Sequence, residues 1–200
     1  MKKFDVSHLT KKIKLLAGID EAGRGPLAGP VVAAAVIFDK RIYIKDVNDS
    51  KKISENKRER LYDEIIEKCI DYSVGIISEH EIDCINILQS TLKAMKSAVD
   101  YLEVRPDLVL VDGNRLFHSN IPLKQVVKGD SKSFVIASAS IIAKVTRDRL
   151  MRKISVEYPN YLWYKNKGYG TKEHIEAIKK FGITPIHRKS FLTKITNIQS

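Results

Sequence analysis

Leu15-Leu16-Ala17-Gly18-Ile19 is a short apolar run that stops at two adjacent carboxylates, Asp20 and Glu21, and passes at once into Ala22-Gly23-Arg24-Gly25-Pro26. A run of this kind reads as a buried strand. Paired acids at a strand end add nothing to packing, so they point to a place for cations. The Gly- and Pro-dense stretch that continues to Pro30 forces a turn. A second run free of charge, Val31 to Phe38, follows it and reads as a central strand.

The rest of the chain alternates in the same way. Ser54, with Lys57, Arg58, Leu61, Ile65 and Ile66 behind it, predicts a helix running to about Cys69. Tyr72 to Ser78 predicts a third strand. Ile82, Ile85, Leu88, Leu92, Met95 and Val99 recur at three- and four-residue intervals and predict one long helix from Glu79 to about Leu102. After Pro106 come strands at Leu108 to Val111 and Gln125 to Lys128. A helix from Ser133 to Glu157 follows, with an apolar first half and a charged second half. Tyr164 to Gly170 reads as a loop and Thr171 to Phe181 as a last helix. The first three strands can pair antiparallel, while the later two need crossovers and lie parallel to the first. The fold class is α/β, a mixed five-stranded sheet flanked by helices. Residues 1–157 form the expected core and 158–200 a small helical C-terminal extension near the substrate groove.

Composition narrows the partners. The net charge is +11 over 200 residues, which favours a polyanion such as nucleic acid. Two cysteines, Cys69 and Cys84, without CxxC spacing argue against a disulfide framework or a zinc site and fit a cytoplasmic setting. The longest uncharged run, Gly25 to Phe38, is shorter than the roughly 20 residues a membrane span needs. Met1 to Lys14 lacks the apolar centre of a secretory signal; it reads as either a loose basic arm or a pre-strand. No GxxxxGK[ST] phosphate cradle is present.

Three strand ends carry acids: Asp20-Glu21, Asp112 and Asp130. Open sheets bind ligands at the carboxyl ends of parallel strands, so acids far apart in sequence can meet there. Taken singly, Asp112 reads as a turn residue and Asp130 as a helix cap. Taken together, four acids repel unless cations bind or protons are shared. Oxygen ligands without His or Cys select Mg2+ or Mn2+. Two such ions about 4 Å apart suit phosphodiester hydrolysis.

At this point the motifs resemble those of a known family. Gly18-Ile19-Asp20-Glu21-Ala22-Gly23-Arg24-Gly25-Pro26-Leu27-Ala28-Gly29-Pro30-Val31-Val32 resembles the opening signature of bacterial ribonuclease HII, the type 2 ribonucleases H. Asp49-Ser50-Lys51-Lys52, Val111-Asp112-Gly113, Lys128-Gly129-Asp130, the segment Ala137 to Asp148, Lys167-Gly168-Tyr169-Gly170-Thr171 and His187-Arg188-Lys189-Ser190-Phe191 match in the same order. The resemblance implies a ribonuclease H-like core acting on RNA–DNA hybrids. It also implies incision 5′ of single ribonucleotides in duplex DNA, leaving 3′-hydroxyl and 5′-phosphate ends. By resemblance Asp20, Glu21 and Asp112 are principal metal ligands, and Asp130 binds the second ion or orients the nucleophile. Gly23, Arg24 and Gly25 approach the sugar and its 2′-hydroxyl, and Tyr169 packs on that sugar. Ser50, Lys51 and Arg188 are expected phosphate contacts.

Lys144, Arg147 and Arg149 form either a substrate-side basic face or an ordinary solvated one. His187 has no deduced acid–base role, and His8, His80, His118 and His174 read as surface or helix-end residues. Tyr161-Leu162-Trp163-Tyr164 departs from the glycine-containing loop expected there. A monomer is expected, with a replication-clamp contact through the C-terminal tail. The competing readings are another ribonuclease H-like nuclease of the resolvase type and a non-enzymatic basic RNA-binding protein.

Overall fold

Val31–Ile37 (β2) reads VVAAAVI with every residue buried, as a strand covered on both faces must be. Its neighbours are β1 (Leu16–Ala22) and β3 (Asp71–Ile77), both antiparallel to it. In the computed structural model, which describes residues 1–193, β4 (Leu108–Asp112) and β5 (Leu123–Val126) join in parallel on the far side of β1. The order is β3-β2-β1-β4-β5. This is the mixed five-stranded α/β sheet expected, although β1, not β2, holds the middle place. β1 also runs beyond Ile19: Asp20 and Glu21 are still strand residues, opposite Ala34 and Ala33.

The helices are α1 (Lys2–Val6), α2 (Glu55–Lys68), α3 (Glu79–Asp100), α4 (Phe134–Ser155), α5 (Trp163–Asn166), α6 (Lys172–Phe181) and α7 (Lys189–Leu192). One apolar cluster joins Leu16, Ala34 and Leu110 of the sheet to Ile136 and Ile141 of α4 and to Leu61 and Ile65 of α2. The other joins Ala17, Ile19, Val109 and Val111 to Ile82, Met95 and Val99 of α3. Gly18 lets α4 lie directly on β1: a Cβ there would stand 2.3 Å from the Val135 carbonyl carbon.

Three expectations change. The N-terminus is neither a loose arm nor a pre-strand. It carries α1, and Asp5 accepts hydrogen bonds from the Phe134 and Val135 amides at 2.9 and 3.1 Å, closing the open end of α4. The helix expected from Glu79 is broken at Asn86, where φ is +67°. Asn86 Oδ1 accepts from the Leu88 and Gln89 amides, so it caps a fresh helical start. The bulky 161–164 segment is a 3-10 turn, a left-handed Leu162 and α5. Tyr161 and Trp163 pack with His174 and His187 in the extension. His174 is thus a core residue, with no exposed surface.

No helix among the described residues is long and apolar enough to cross a membrane. The tail expected to carry the clamp contact falls on 194–200, outside the described residues.

Candidate active site

Side chains alternate along a strand. Leu16 and Leu110 lie in the α4-side core and Ile19 and Val111 in the α3-side core. By the same alternation Asp20 and Asp112 close neighbouring strands on the α4 side, while Glu21 is turned over the sheet edge towards α3. Glu21 accordingly pairs with Arg24 at 3.3 Å. Asp112 Oδ1 accepts from the Gly129 amide at 2.6 Å. That bond ties β4 to the 3-10 turn Gly129–Ser131 that carries Asp130.

All four acids open into one cleft of about 550 Å³. Gly23, Arg24, Gly25, Ser50, Lys51 and Tyr169 line it too. Asp49 caps the 3-10 turn Ser50–Lys52 by accepting from the Lys51 amide at 3.0 Å. Ser50 itself is buried, its hydroxyl 2.9 Å from that of Ser140. Tyr169 is 42% exposed, and its Cε1 lies 4.0 Å from where a Cβ on Gly25 would be.

Burial and mutual repulsion set the electrostatics of the acids. Burial pushes the Asp20 carboxyl well above the usual range, and Glu21 and Asp112 push it further. The Ser140 hydroxyl and the Glu21 amide offset this only in part. Glu21 is raised, chiefly by burial, against the opposing effect of Arg24. Asp130 is raised by burial, then by Asp112 and Asp49. A buried carboxylate so placed either holds a proton or gains a cation. The donors are all oxygen, which fits a hard divalent ion. Among the described residues, however, no three such side chains converge on one point. Glu21 and Asp112 are engaged by Arg24 and Gly129.

The description "Ribonuclease HII" belongs to the family model that matches residues 17–194. The chain belongs to the ribonuclease HII family. It is 59% identical over 178 residues to a ribonuclease HII of Acetivibrio thermocellus, covering 89% of this chain and 70% of that one. It is 56% identical over 191 residues to one from Rickettsia bellii, covering 94% and 96%. Among solved structures, the ribonuclease H2 of Pyrococcus horikoshii OT3 superposes with a TM-score of 0.76 at 29% identity, over 90% of this chain and 96% of that one. The ribonuclease HII in a PCNA complex from Archaeoglobus fulgidus superposes at 0.70 with 27% identity, over 88% and 94%. The protein is therefore a ribonuclease H, an endonuclease acting on RNA–DNA hybrids.

Within this ribonuclease HII fold, one expected substrate residue is misassigned. Arg188 has no exposed surface and cannot meet a phosphate. Its guanidinium is spent on the carbonyls of Gly23, Arg24, Pro26, Gly29 and Pro30. The motif was legible, but whether its arginine turns outward or inward is a matter of tertiary packing. The three α4 cations Lys144, Arg147 and Arg149 also part company. Arg147 is fully buried, Arg149 pairs with Glu59 at 2.6 Å, and Lys144 reaches the cleft while bonded to Asp148 at 2.7 Å. Burial lowers Arg188 to about 9, with the Arg147 charge adding to the effect; it still leaves the group charged at neutral pH.

Sequence reasoning passed over Ser140, which stands between Ser50 and Asp20. Its signal was present: Ser140 and Lys144 are four residues apart on α4 and so share a face. Ile87 and Phe191 complete the lining.

Proposed function

We propose that this ribonuclease H also incises duplex DNA on the 5′ side of a single embedded ribonucleotide, leaving 3′-hydroxyl and 5′-phosphate ends. The observation that carries the reading is the meeting of Gly25 and the exposed Tyr169 ring on the lip of the cleft that holds the four acids. A glycine pair lets backbone approach a sugar, and the 2′-hydroxyl is the group by which a protein tells RNA from DNA.

Asp20, Glu21, Asp112 and Asp130 are the residues that would hold divalent ions, Mg2+ or Mn2+. A bound pair supplies the positive charge that eases ionisation of an attacking water and stabilises the leaving oxygen. The chain's own residues do the rest. Asp112, which lines the cleft, is held in place by the Gly129 amide. Lys51, beside Asp130, and Lys144, one turn along α4 from Ser140, both line the cleft and offer charge to the phosphates that flank the scissile bond. Tyr169 offers a flat apolar surface to the sugar, with the Lys144 ammonium 5.7 Å from its ring centre.

Residues 1–157 act in this reading as the catalytic core and 158–200 as the extension supplying Tyr169. We infer a cytoplasmic monomer. The PCNA complex of the Archaeoglobus fulgidus protein supports a clamp contact through the tail.

The test is cleavage of a duplex holding one ribonucleotide, beside an all-DNA duplex and a long hybrid, with Asp112→Asn as control. A cut 5′ of the ribonucleotide, lost in the variant, is the expected result. Cleavage of the hybrid alone would remove the single-ribonucleotide role from the Gly-Arg-Gly turn and Tyr169.

A further inference from the structure

Two fully buried arginines lie under the lip of the cleft, Arg147 on α4 and Arg188 just ahead of α7. Among the described residues, the hydrogen bonds their guanidiniums donate all go to backbone carbonyls. Arg188 Nη2 reaches Gly23 and Gly29, both at 2.7 Å, and Pro30 at 3.1 Å; Nη1 reaches Arg24 at 3.1 Å and Pro26 at 2.9 Å. Arg147 reaches Pro30 at 2.9 Å and Ala28 at 3.1 Å, and on its other side Lys167 at 3.0 Å.

The consequences are geometric. Carbonyls of the 23–30 loop are drawn inward on one arginine. Arg147 bolts that loop to the segment bearing Tyr169, a link doubled by the Leu27 amide donating to the Gly168 carbonyl at 2.8 Å. The Arg147 guanidinium also stands 5.8 Å from the Tyr169 ring centre. Gly23 belongs to the same arrangement: it has φ +100°, and a Cβ there would lie 2.2 Å from Arg147 Nε. The gap between Gly25 and Tyr169 is therefore set by the buried pair and not by either loop alone.

We propose that Arg147 and Arg188 are positioning residues for sugar choice, holding the Gly23–Gly25 backbone and the Tyr169 ring at the spacing that favours a ribose over a deoxyribose. The inference rests on the single-ribonucleotide reading above. Recognition of one hydroxyl demands placement within about 0.5 Å, which a rigid multidentate guanidinium can impose. A lysine keeps the charge but cannot bridge carbonyls on two sides.

Arg147→Lys and Arg188→Lys test this, with folding followed by circular dichroism. Binding is measured in Ca2+ to a single-ribonucleotide duplex and to the all-deoxy duplex of the same sequence. A purely structural loss weakens both equally. The expected result is a tenfold or greater fall in the ribo-to-deoxy affinity ratio, with all-deoxy binding changed less than threefold. If Arg188→Lys does not fold, Arg147→Lys, which leaves the Arg188 bonds intact, decides alone. If neither folds, the pair is a requirement of the fold and the proposal is overturned. A wild-type protein that neither prefers nor cuts the ribonucleotide duplex sinks the single-ribonucleotide activity and the arginine positioning role together. One that does both, with an unchanged ratio in the variants, sinks the positioning role of Arg147 and Arg188 alone.

Discussion

The Gly129 amide holds the Asp112 carboxylate at 2.6 Å, so the end of β4 and the turn bearing Asp130 move as one piece. A Cβ on Gly129 would stand 2.5 Å from Ile136 Cδ1 and 3.0 Å from Asp112 Oδ1. The isoleucine tip can swing aside; the carboxylate can yield only by leaving its place. Gly129→Ala should therefore slow single-turnover cleavage at least tenfold while lowering stability by no more than about 1–3 kcal/mol. Rapid-quench rates and urea unfolding on the same preparation check this. A near-normal rate would mean that this bond does not place Asp112.

Asp20 sets function against stability. Its carboxyl is raised by burial and by its acidic neighbours, so the folded chain prefers it protonated. The stability tied to that proton is fully present below the unfolded pKa of about 4 and is lost as pH rises through the raised folded value. At pH 7 in chelator the group costs the fold, because the unfolded chain holds it ionised in water and the folded site disfavours that charge. Asp20→Asn imitates the protonated form and should be the more stable protein there, by about 1 kcal/mol or about 2–4 °C in Tm. Mg2+ should then raise the wild-type Tm more than that of the variant, and cleavage should be abolished. A metal-free variant that melts below wild type would contradict the repulsion argued here.

How much of this could be read in advance follows from the range of each cause. Strand β2 was legible because seven apolar residues in a row leave few alternatives. Asp20 and Asp112 were legible because parallel strands finish on one edge. The break at Asn86 was not, since its flanks keep helical periodicity while one residue turns to φ +67°. Nor were the inward turn of Arg188 and the burial of His174, which depend on partners more than ten residues away in sequence. The acids are gathered in one cleft, but Glu21 faces the opposite side of the sheet from Asp20, a consequence of strand period that counting strand ends overlooks.

Gly18 tests how closely α4 must lie on β1. A Cβ there would meet the Val135 carbonyl carbon at 2.3 Å and the Ile136 nitrogen at 2.5 Å. These are helix backbone atoms, so relief requires α4 to shift as a body. Gly18→Ala should cost about 1–3 kcal/mol or more in urea unfolding. It should also slow cleavage, because α4 carries Ser140 and Lys144 into the cleft. A variant within 0.5 kcal/mol of wild type, roughly the scatter of neutral substitutions, would show that the helix moves freely.

The His174–His187 pair makes the extension sensitive to acid. The Thr184 amide donates to His187 Nδ1 at 2.9 Å, so His187 carries its proton on Nε2, 3.2 Å from His174 Nε2. His174 Nε2 also accepts from Trp163 at 3.0 Å, and its Nδ1 donates to the Tyr169 carbonyl at 2.9 Å. Both rings are therefore neutral, and a proton added to either meets a donor already in place. Burial lowers both, His187 to about 4 with His174 adding to the effect. The unfolded rings titrate near 6.5. The His187 contribution is thus complete above about 6.5 and falls as the pH drops towards 4, by about 1.4 kcal/mol per pH unit, and His174 adds a loss of the same sign. Urea unfolding between pH 7.5 and 5 should show a fall of that sign, and His187→Gln should clearly reduce it. Because His174 grips the Tyr169 carbonyl, the wild-type KM for a single-ribonucleotide duplex should rise over the same interval. A slope identical in wild type and variant would show that His187 does not carry the acid sensitivity; the raised Asp20, Glu21 and Asp130 carboxyls act with the opposite sign, gaining stability as the pH falls.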